Sequence, residues 1–261
     1  MKGDLFRRCS HGVAHWALNN LDAPLGLMNV AGMGGRNGRV LEEEVMDDRT
    51  EAEAYHALVE THGRLLHAPF VKFLDTLDIG HGTALDIGCG PGQLTVALAL
   101  RHPGLKLHGV DLSSEMLARA RSHAARAGVA DRVTFEQADA KTLVGENGAY
   151  NLVYSHFTLH HLETPSVLLD AADRLAGDEG TVVIRDLRRL PAWLVETQVL
   201  FSRWALRYKP VQIKQCRESL RASLSWAEAV RHCRNSRLRD ATLTRTSLLD
   251  YVIVRPLRRQ A

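Results

Sequence analysis

Cysteine is scarce in this chain, with four residues in 261 (Cys9, Cys89, Cys216 and Cys233) and no Cys-x-x-Cys pair. That excludes a disulfide-stapled scaffold and points to reduced thiols in a cytoplasmic setting. Long apolar runs are also missing: Thr95 to Leu100 is among the longest, far short of the ~20 residues that cross a bilayer. The stretch Met1 to Asn20 has basic residues, but its apolar patch is short and broken by His15, so no secretory core is expected. Excess charge of one sign is small, +3 overall, although it is unevenly placed. Residues 191–261 carry 14 Lys and Arg against 5 Asp and Glu, whereas residues 1–190 carry 19 against 25. The basic quarter has no dense cluster interleaved with aromatics, so solvated helix and strand faces explain it better than a nucleic-acid surface does. With 45% hydrophobic and 24% charged residues, the chain can bury a sizeable core without staples.

Three regions are expected. Residues 1–45 read as an arm, with a short helix over Asp4 to Asn20 and a glycine-rich stretch, Leu25 to Arg39, that could close over a site. Residues 46–80 have helical periodicity, with Pro69 expected to divide them into two helices. From residue 81 to 261, strands alternate with helices. Strand patterns fall at 83–88, 105–112, 132–139, 150–157 and 181–187, with helices at 93–101, 114–127 and 165–176 between them. Parallel strands need crossover connections, so this alternation demands an α/β fold with a mostly parallel sheet covered on both faces. One or two helices are expected after Pro191, within an insertion over about 188–237. Strands at 238–245 and 247–256 lie close enough for an antiparallel C-terminal hairpin.

The strongest chemical signal is Asp86-Ile87-Gly88-Cys89-Gly90-Pro91-Gly92, placed where a strand gives way to a helix. Glycines there let backbone approach a ligand closely, and the following helix offers unpaired N–H groups to an anionic moiety. The spacing is G-x-G-x-G. Position 93 is glutamine and no G-K-[ST] follows, which disfavours dinucleotide and nucleoside-triphosphate sites. Asp111 ends the next strand, 25 residues after Asp86, where a carboxylate can accept bonds from both hydroxyls of a ribose. Asp139, closing the third strand, is placed to bond an adenine amino group or to cap a turn.

These motifs resemble the class I S-adenosylmethionine-dependent methyltransferases, specifically the small-molecule branch with a DIGCGPG loop, over roughly Thr83 to Leu187. The resemblance implies a Rossmann-like, doubly wound, seven-stranded sheet ending in the antiparallel hairpin, with N-terminal helices and a helical lid. It implies S-adenosyl-L-methionine as cofactor, with S-adenosyl-L-homocysteine as product. Gly88, Cys89, Gly90 and Gly92 would line the methionine and ribose part, and Asp86 would stand near the amino group. Asp111 would hold the ribose, Leu112 would lie against the adenine, and Asp139 with Ala140 would meet its edge. Ser155 and His156 would stand beside the methionine moiety. Residues 1–80 and 188–240 carry no recognised motif, and in this family such regions usually form the substrate lid.

Methyl transfer of this kind needs the acceptor aligned and, for a phenol or alcohol, a base. His160, after the fourth strand, is the candidate base, and Asp186, at the end of the fifth strand, is a second catalytic candidate. His161, Arg185 and Tyr55 are candidate acceptor contacts, Arg185 either on the substrate or in an ion pair. No metal site is expected, because His156 and His160 lack the glutamate of H-E-x-x-H and a third ligand. The expected partner is a small organic acceptor, with nucleic acid disfavoured, no membrane span, and a homodimer left open. The competing functions are methylation of RNA or protein through the basic quarter, and a non-catalytic cofactor-binding regulatory module.

Overall fold

The computed structural model describes residues 38–42, 49–77 and 79–258. The helix expected over Asp4 to Asn20 and the glycine-rich stretch as far as residue 37 lie outside the described residues.

Helix α1, Arg49–Leu74, runs straight through Pro69, against the expectation of two helices. An interior proline costs about 3 kcal/mol. Phe70, Phe73 and Leu74, just beyond it, are each 0% exposed, and each such burial contributes about 1.5–3 kcal/mol. Packing therefore outweighs the lost backbone bond. Arg185 Nη1 also donates to the Leu66 carbonyl in the preceding turn, at 3.1 Å.

The sheet has seven strands: β1 His81–Ile87, β2 Gly104–Asp111, β3 Val133–Gln137, β4 Leu152–His156, β5 Thr181–Leu187, β6 Thr242–Arg245 and β7 Asp250–Arg255. Their order is β3-β2-β1-β4-β5-β7-β6. The first five are parallel, and β7 runs antiparallel to both β5 and β6. Successive residues point to opposite faces, and both faces are apolar. Ala84, Leu105, Leu107, Tyr154 and Val183 join one core with α1 and with α2 (Gln93–Arg101) and α3 (Ser114–Arg126). Leu85, Val110, Val153 and Ile184 join the other, with α4 (Ser166–Ala176) and α7 (Trp226–Arg234). This is the doubly covered sheet that the β-α alternation requires.

After β5 the chain makes three helices rather than one or two: α5 Ala192–Trp204, α6 Pro210–Ala222 and α7. Pro210 opens α6 at its first turn, where a missing N–H costs nothing. Ser225 and Glu228 form a reciprocal capping box at the start of α7. β6 begins only at Thr242, because Leu238 turns into the second core (0% exposed) and accepts from Ala241 N in a turn. No helix among the described residues is long and apolar enough to cross a membrane.

β1 pairs with β2 on one side and β4 on the other. The helices that follow β1 and β4, α2 and α4, pack into opposite cores, and a crevice opens at the carboxyl ends of the two strands.

Candidate active site

β1 ends in three left-handed glycines: Gly88 (φ 75°), Gly90 (φ 52°) and Gly92 (φ 76°). At Gly88 a Cβ would also sit 2.2 Å from Thr158 Oγ1, so the loop and the turn after β4 close on each other only with glycine there. Gly92 has a different task. A Cβ on it would lie 2.8 Å from Ala120 Cβ, so it serves the packing of α2 against α3. Gly88 N and Cys89 N both donate to the Val110 carbonyl, at 2.8 and 3.0 Å, which ties the loop to the end of β2.

Asp111 completes that tie. Its Oδ2 accepts from Gly90 N at 2.8 Å and its Oδ1 from Ser113 N at 2.9 Å. Each oxygen keeps acceptor capacity beyond its one backbone bond. Burial raises the Asp111 pKa against the pull of those N–H groups.

A cleft of about 820 Å3, partly open to solvent, lies over these groups. Gly88, Gly90, Asp111, Leu112, Asp139 and Ala140 line it, with Tyr55, His156, Phe157, Thr158 and His161 across from them. Next to it, a small recess of about 30 Å3 is lined by Asp86, Cys89, Gly90, His67 and His156. Burial pushes the Asp86 carboxyl up to about 7, although Thr95 Oγ1 donates to it at 2.6 Å. Burial also holds His67 at about 4, helped by Arg185, and drives His156 well below its usual value, so both rings are neutral near pH 7. Tyr55, on α1, has its phenol pushed up to about 12 by burial and by the Asp111 and Glu42 carboxylates.

The turn after β4 is strained. Phe157 has φ 59° without being glycine, a conformation that persists only where surroundings enforce it. A short 3-10 turn, Leu159–His161, follows. Asp186, 0% exposed at the end of β5, accepts from His160 N at 3.0 Å and lies 2.6 Å from His160 Nδ1. Burial opposes a charge on His160, but Asp186 and then Glu42 outweigh it and raise its pKa. His160 Nε2 faces Glu42 Oε1 at 3.6 Å, and His161 Nδ1 approaches the same oxygen at 2.7 Å. Burial likewise opposes the Glu42 charge, yet the two imidazoles hold its carboxyl below the usual range. Arg39 pins this segment: its guanidinium donates to the carbonyls of His160 and Leu162 (both 2.7 Å), Ala222 (2.6 Å) and Glu163 (3.3 Å).

Measured against the sequence reading, the two cavities gather Asp86, Gly88, Cys89, Gly90, Asp111, Leu112, Asp139, Ala140, His156, His161 and Tyr55. Five expected residues fall elsewhere. Gly92 lines neither cavity. Ser155 is 0% exposed and donates to the Ile87 carbonyl at 2.8 Å, stitching β4 to β1. Arg185 is 7% exposed, ion-paired to Asp250, and outside the cleft. His160 and Asp186 are buried behind the cleft wall, since the Asp186 contact turns the His160 ring inward and leaves His161 as the imidazole facing the cleft. The sequence reading missed Thr158, Arg39 and Glu42. The close approach of Thr158 to Gly88 and the docking of residues 38–42 depend on tertiary contacts that carry no local pattern. No metal ligands were expected, yet Glu42, His160 and His161 gather in one group among the described residues.

Sequence comparison finds a known domain over the stretch that carries the glycine–aspartate crevice. Residues 84–180 match the family model described as a methyltransferase domain. That stretch, which holds the glycine turn, Asp111 and Asp139, is a methyltransferase domain. The chain is 34% identical over 129 residues to the ubiquinone biosynthesis O-methyltransferase of Methylococcus capsulatus, covering 49% of this chain and 52% of that relative. It is 31% identical over 108 residues to the 27-O-demethylrifamycin SV methyltransferase of Amycolatopsis mediterranei, covering 41% and 39%. The chain thus spans about half or less of the length of these curated relatives. Among solved structures, a proposed S-adenosylmethionine-dependent methyltransferase from Methanococcus maripaludis superposes with a TM-score of 0.64 at 19% identity, covering 85% of this chain and 99% of the other. The magnesium protoporphyrin IX methyltransferase of Synechocystis, solved with S-adenosylhomocysteine, gives 0.56 at 18% identity, covering 79% and 94%. Both likenesses concern the fold.

Proposed function

We propose that the cleft binds S-adenosylmethionine and that the protein transfers its methyl group to a small organic acceptor. The observation that carries this reading is Asp111, a half-buried carboxylate with an acceptor site to spare on each oxygen, facing a cleft floored by the glycine turn. A vicinal diol satisfies such a carboxylate. The residues present fit the cofactor. At Gly90 an added Cβ would point into the cleft with nothing nearer than Tyr55 Cε1 at 4.0 Å, so the missing side chain leaves room for a ligand. Leu112, Ala138 and Ala140 offer apolar walls for a flat base, with Asp139 at its edge. Asp86, in the adjoining cavity, would meet the methionine ammonium.

When bound, the cofactor supplies an electrophilic methyl on a sulfonium. The chain's own part is alignment and exclusion of water, and orientation can lower such a barrier by ~7–11 kcal/mol. Tyr55, His156 and His161 wall the acceptor end, with residues 38–42 docked beside them by Arg39. His161 takes the acceptor-facing place that the sequence suggested for His160. Asp186 and His160 act as positioning residues, because they fix the turn that carries His161.

Two observations support a small acceptor over RNA or protein. The named relatives act on ubiquinone precursors and a rifamycin, as their names state. Part of the basic C-terminal quarter is already engaged: Arg217 and Arg221 pair with Glu196, Arg255 with Asp173, and Arg258 with Asp173, Asp178 and Asp240.

Calorimetry tests the reading directly. S-adenosylhomocysteine should bind, NAD should not, and Asp111→Ala should weaken binding by about 1–3 kcal/mol. Unchanged affinity in that variant removes the ribose contact. Binding without turnover on any hydroxylated acceptor would leave a regulatory module instead.

A further inference from the structure

We propose that Glu42, His160 and His161 form a binding site for a divalent transition-metal ion at the acceptor end of the cleft. Three features converge on it.

The first is the donor set. Two imidazole nitrogens and a carboxylate oxygen lie within 4.8 Å of one another. His160 Nε2 and His161 Nδ1 stand 3.6 and 2.7 Å from the same Glu42 oxygen. Tetrahedral ligands on ~2.0–2.1 Å bonds sit about 3.3 Å apart, so these separations bracket what an ion needs and small side-chain shifts would meet it. Mixed nitrogen and oxygen donors suit zinc, cobalt, iron or manganese rather than magnesium or calcium.

The second is the support behind the ligands. His160 Nδ1 is held by Asp186 Oδ1 at 2.6 Å, which points Nε2 at the cluster. A carboxylate on the far nitrogen is the usual brace of a metal-bound histidine. Two carboxylates, Asp186 and Glu42, face the histidines, and the nearby Arg39 guanidinium is turned onto backbone carbonyls.

The third is an unmet nitrogen. His161 Nδ1 is buried, and despite its closeness to Glu42 it has no hydrogen bond of acceptable geometry. At 2.7 Å the nitrogen and the carboxylate oxygen are close enough to share a proton, and an ion between them would part the two by about 0.6 Å.

Three protein ligands leave coordination positions open, and His161 lines the cleft. An acceptor hydroxyl could occupy one of them. Its proton would pass to solvent, and the oxygen would then take the methyl from the sulfonium. This use of the ion rests on the methyl-transfer reading, whereas the site itself does not.

The experiment titrates Co2+ into chelator-treated full-length protein and follows visible absorption, with S-adenosylhomocysteine calorimetry run on every sample. The expected result is one saturable equivalent of Co2+. Binding should be lost in His161→Ala and in Glu42→Gln, and weakened about 10–100-fold in Asp186→Asn, while nucleoside affinity is kept in all three. The nucleoside titration shows that each variant is folded, and Glu42→Gln, nearly isosteric, serves if His161→Ala is not. No saturable Co2+ signal, or a signal unchanged in Glu42→Gln, overturns the proposal. Nucleoside binding without Co2+ would sink the metal site alone. Co2+ binding without nucleoside binding would sink the methyl-transfer reading and leave the metal site standing.

Discussion

Asp86 is the single residue whose environment makes the sharpest statement. Its carboxyl is 2% exposed and titrates near 7, because burial penalises the charge more than Thr95 and Tyr154 relieve it. A methionine ammonium beside it would favour the carboxylate and draw that pKa down. Below neutrality the free protein must then release a proton to bind cofactor. Affinity for S-adenosylhomocysteine should rise by about tenfold per pH unit up to roughly 7 and flatten above it. Calorimetry on either side of neutrality measures this, and a flat profile, also seen in Asp86→Asn, takes Asp86 out of the contact. Asp86 and Asp111 were legible in the sequence because their chemistry is local: each acid sits a residue or two from a glycine turn or a strand end that fixes its direction. His160 and His161 were not separable that way. Their rings lie 4.3 Å apart, and which one meets the cleft is decided by Asp186, 26 residues beyond His160, and by Glu42 in the arm.

Among the elements, α1 shows how packing overrides a local breaker. Phe70 stacks on His156 with ring centroids 5.0 Å apart and lies 6.5 Å from Tyr154. It joins the helix to the strand that carries the cleft wall. Phe70→Ala should cost about 3–5 kcal/mol in chemical denaturation, with a parallel loss of nucleoside affinity as His156 is released. A cost under about 1 kcal/mol would mean that α1 beyond Pro69 does little to hold the sheet. The parallel strands and their helices were readable from periodicity, and so was the antiparallel hairpin. The third helix of the insertion was missed although its signal was present: Ser225 and Glu228 have the S-x-x-E spacing of a capping box, and Pro210 marks a helix start. The Pro69 break failed because the burial of Phe70, Phe73 and Leu74 is a property of the assembled sheet.

For the molecule as a whole, the decisive connection is between the arm and the domain. Residues 38–42 add Glu42 to the site and are held there by Arg39, whose guanidinium serves carbonyls from the 3-10 turn and from α6 at once, by Val40 N on the Arg221 carbonyl (3.3 Å) and by Ser219 Oγ on Glu42 (3.1 Å). Bonds to a charged donor are worth about 1.5–3 kcal/mol each, but these fasten one segment, not the core. Arg39→Ala should therefore speed proteolytic cleavage in the arm severalfold while moving the unfolding midpoint only slightly. A large drop in the midpoint instead would make the arm part of the fold.

Four carbonyls grip the Arg39 side chain, three from residues 160–163 and one from the end of α6. A single guanidinium thus clasps two elements that are about sixty residues apart in the chain. The turn that presents His161 is thereby fixed from outside the sheet as well as from Asp186 within it.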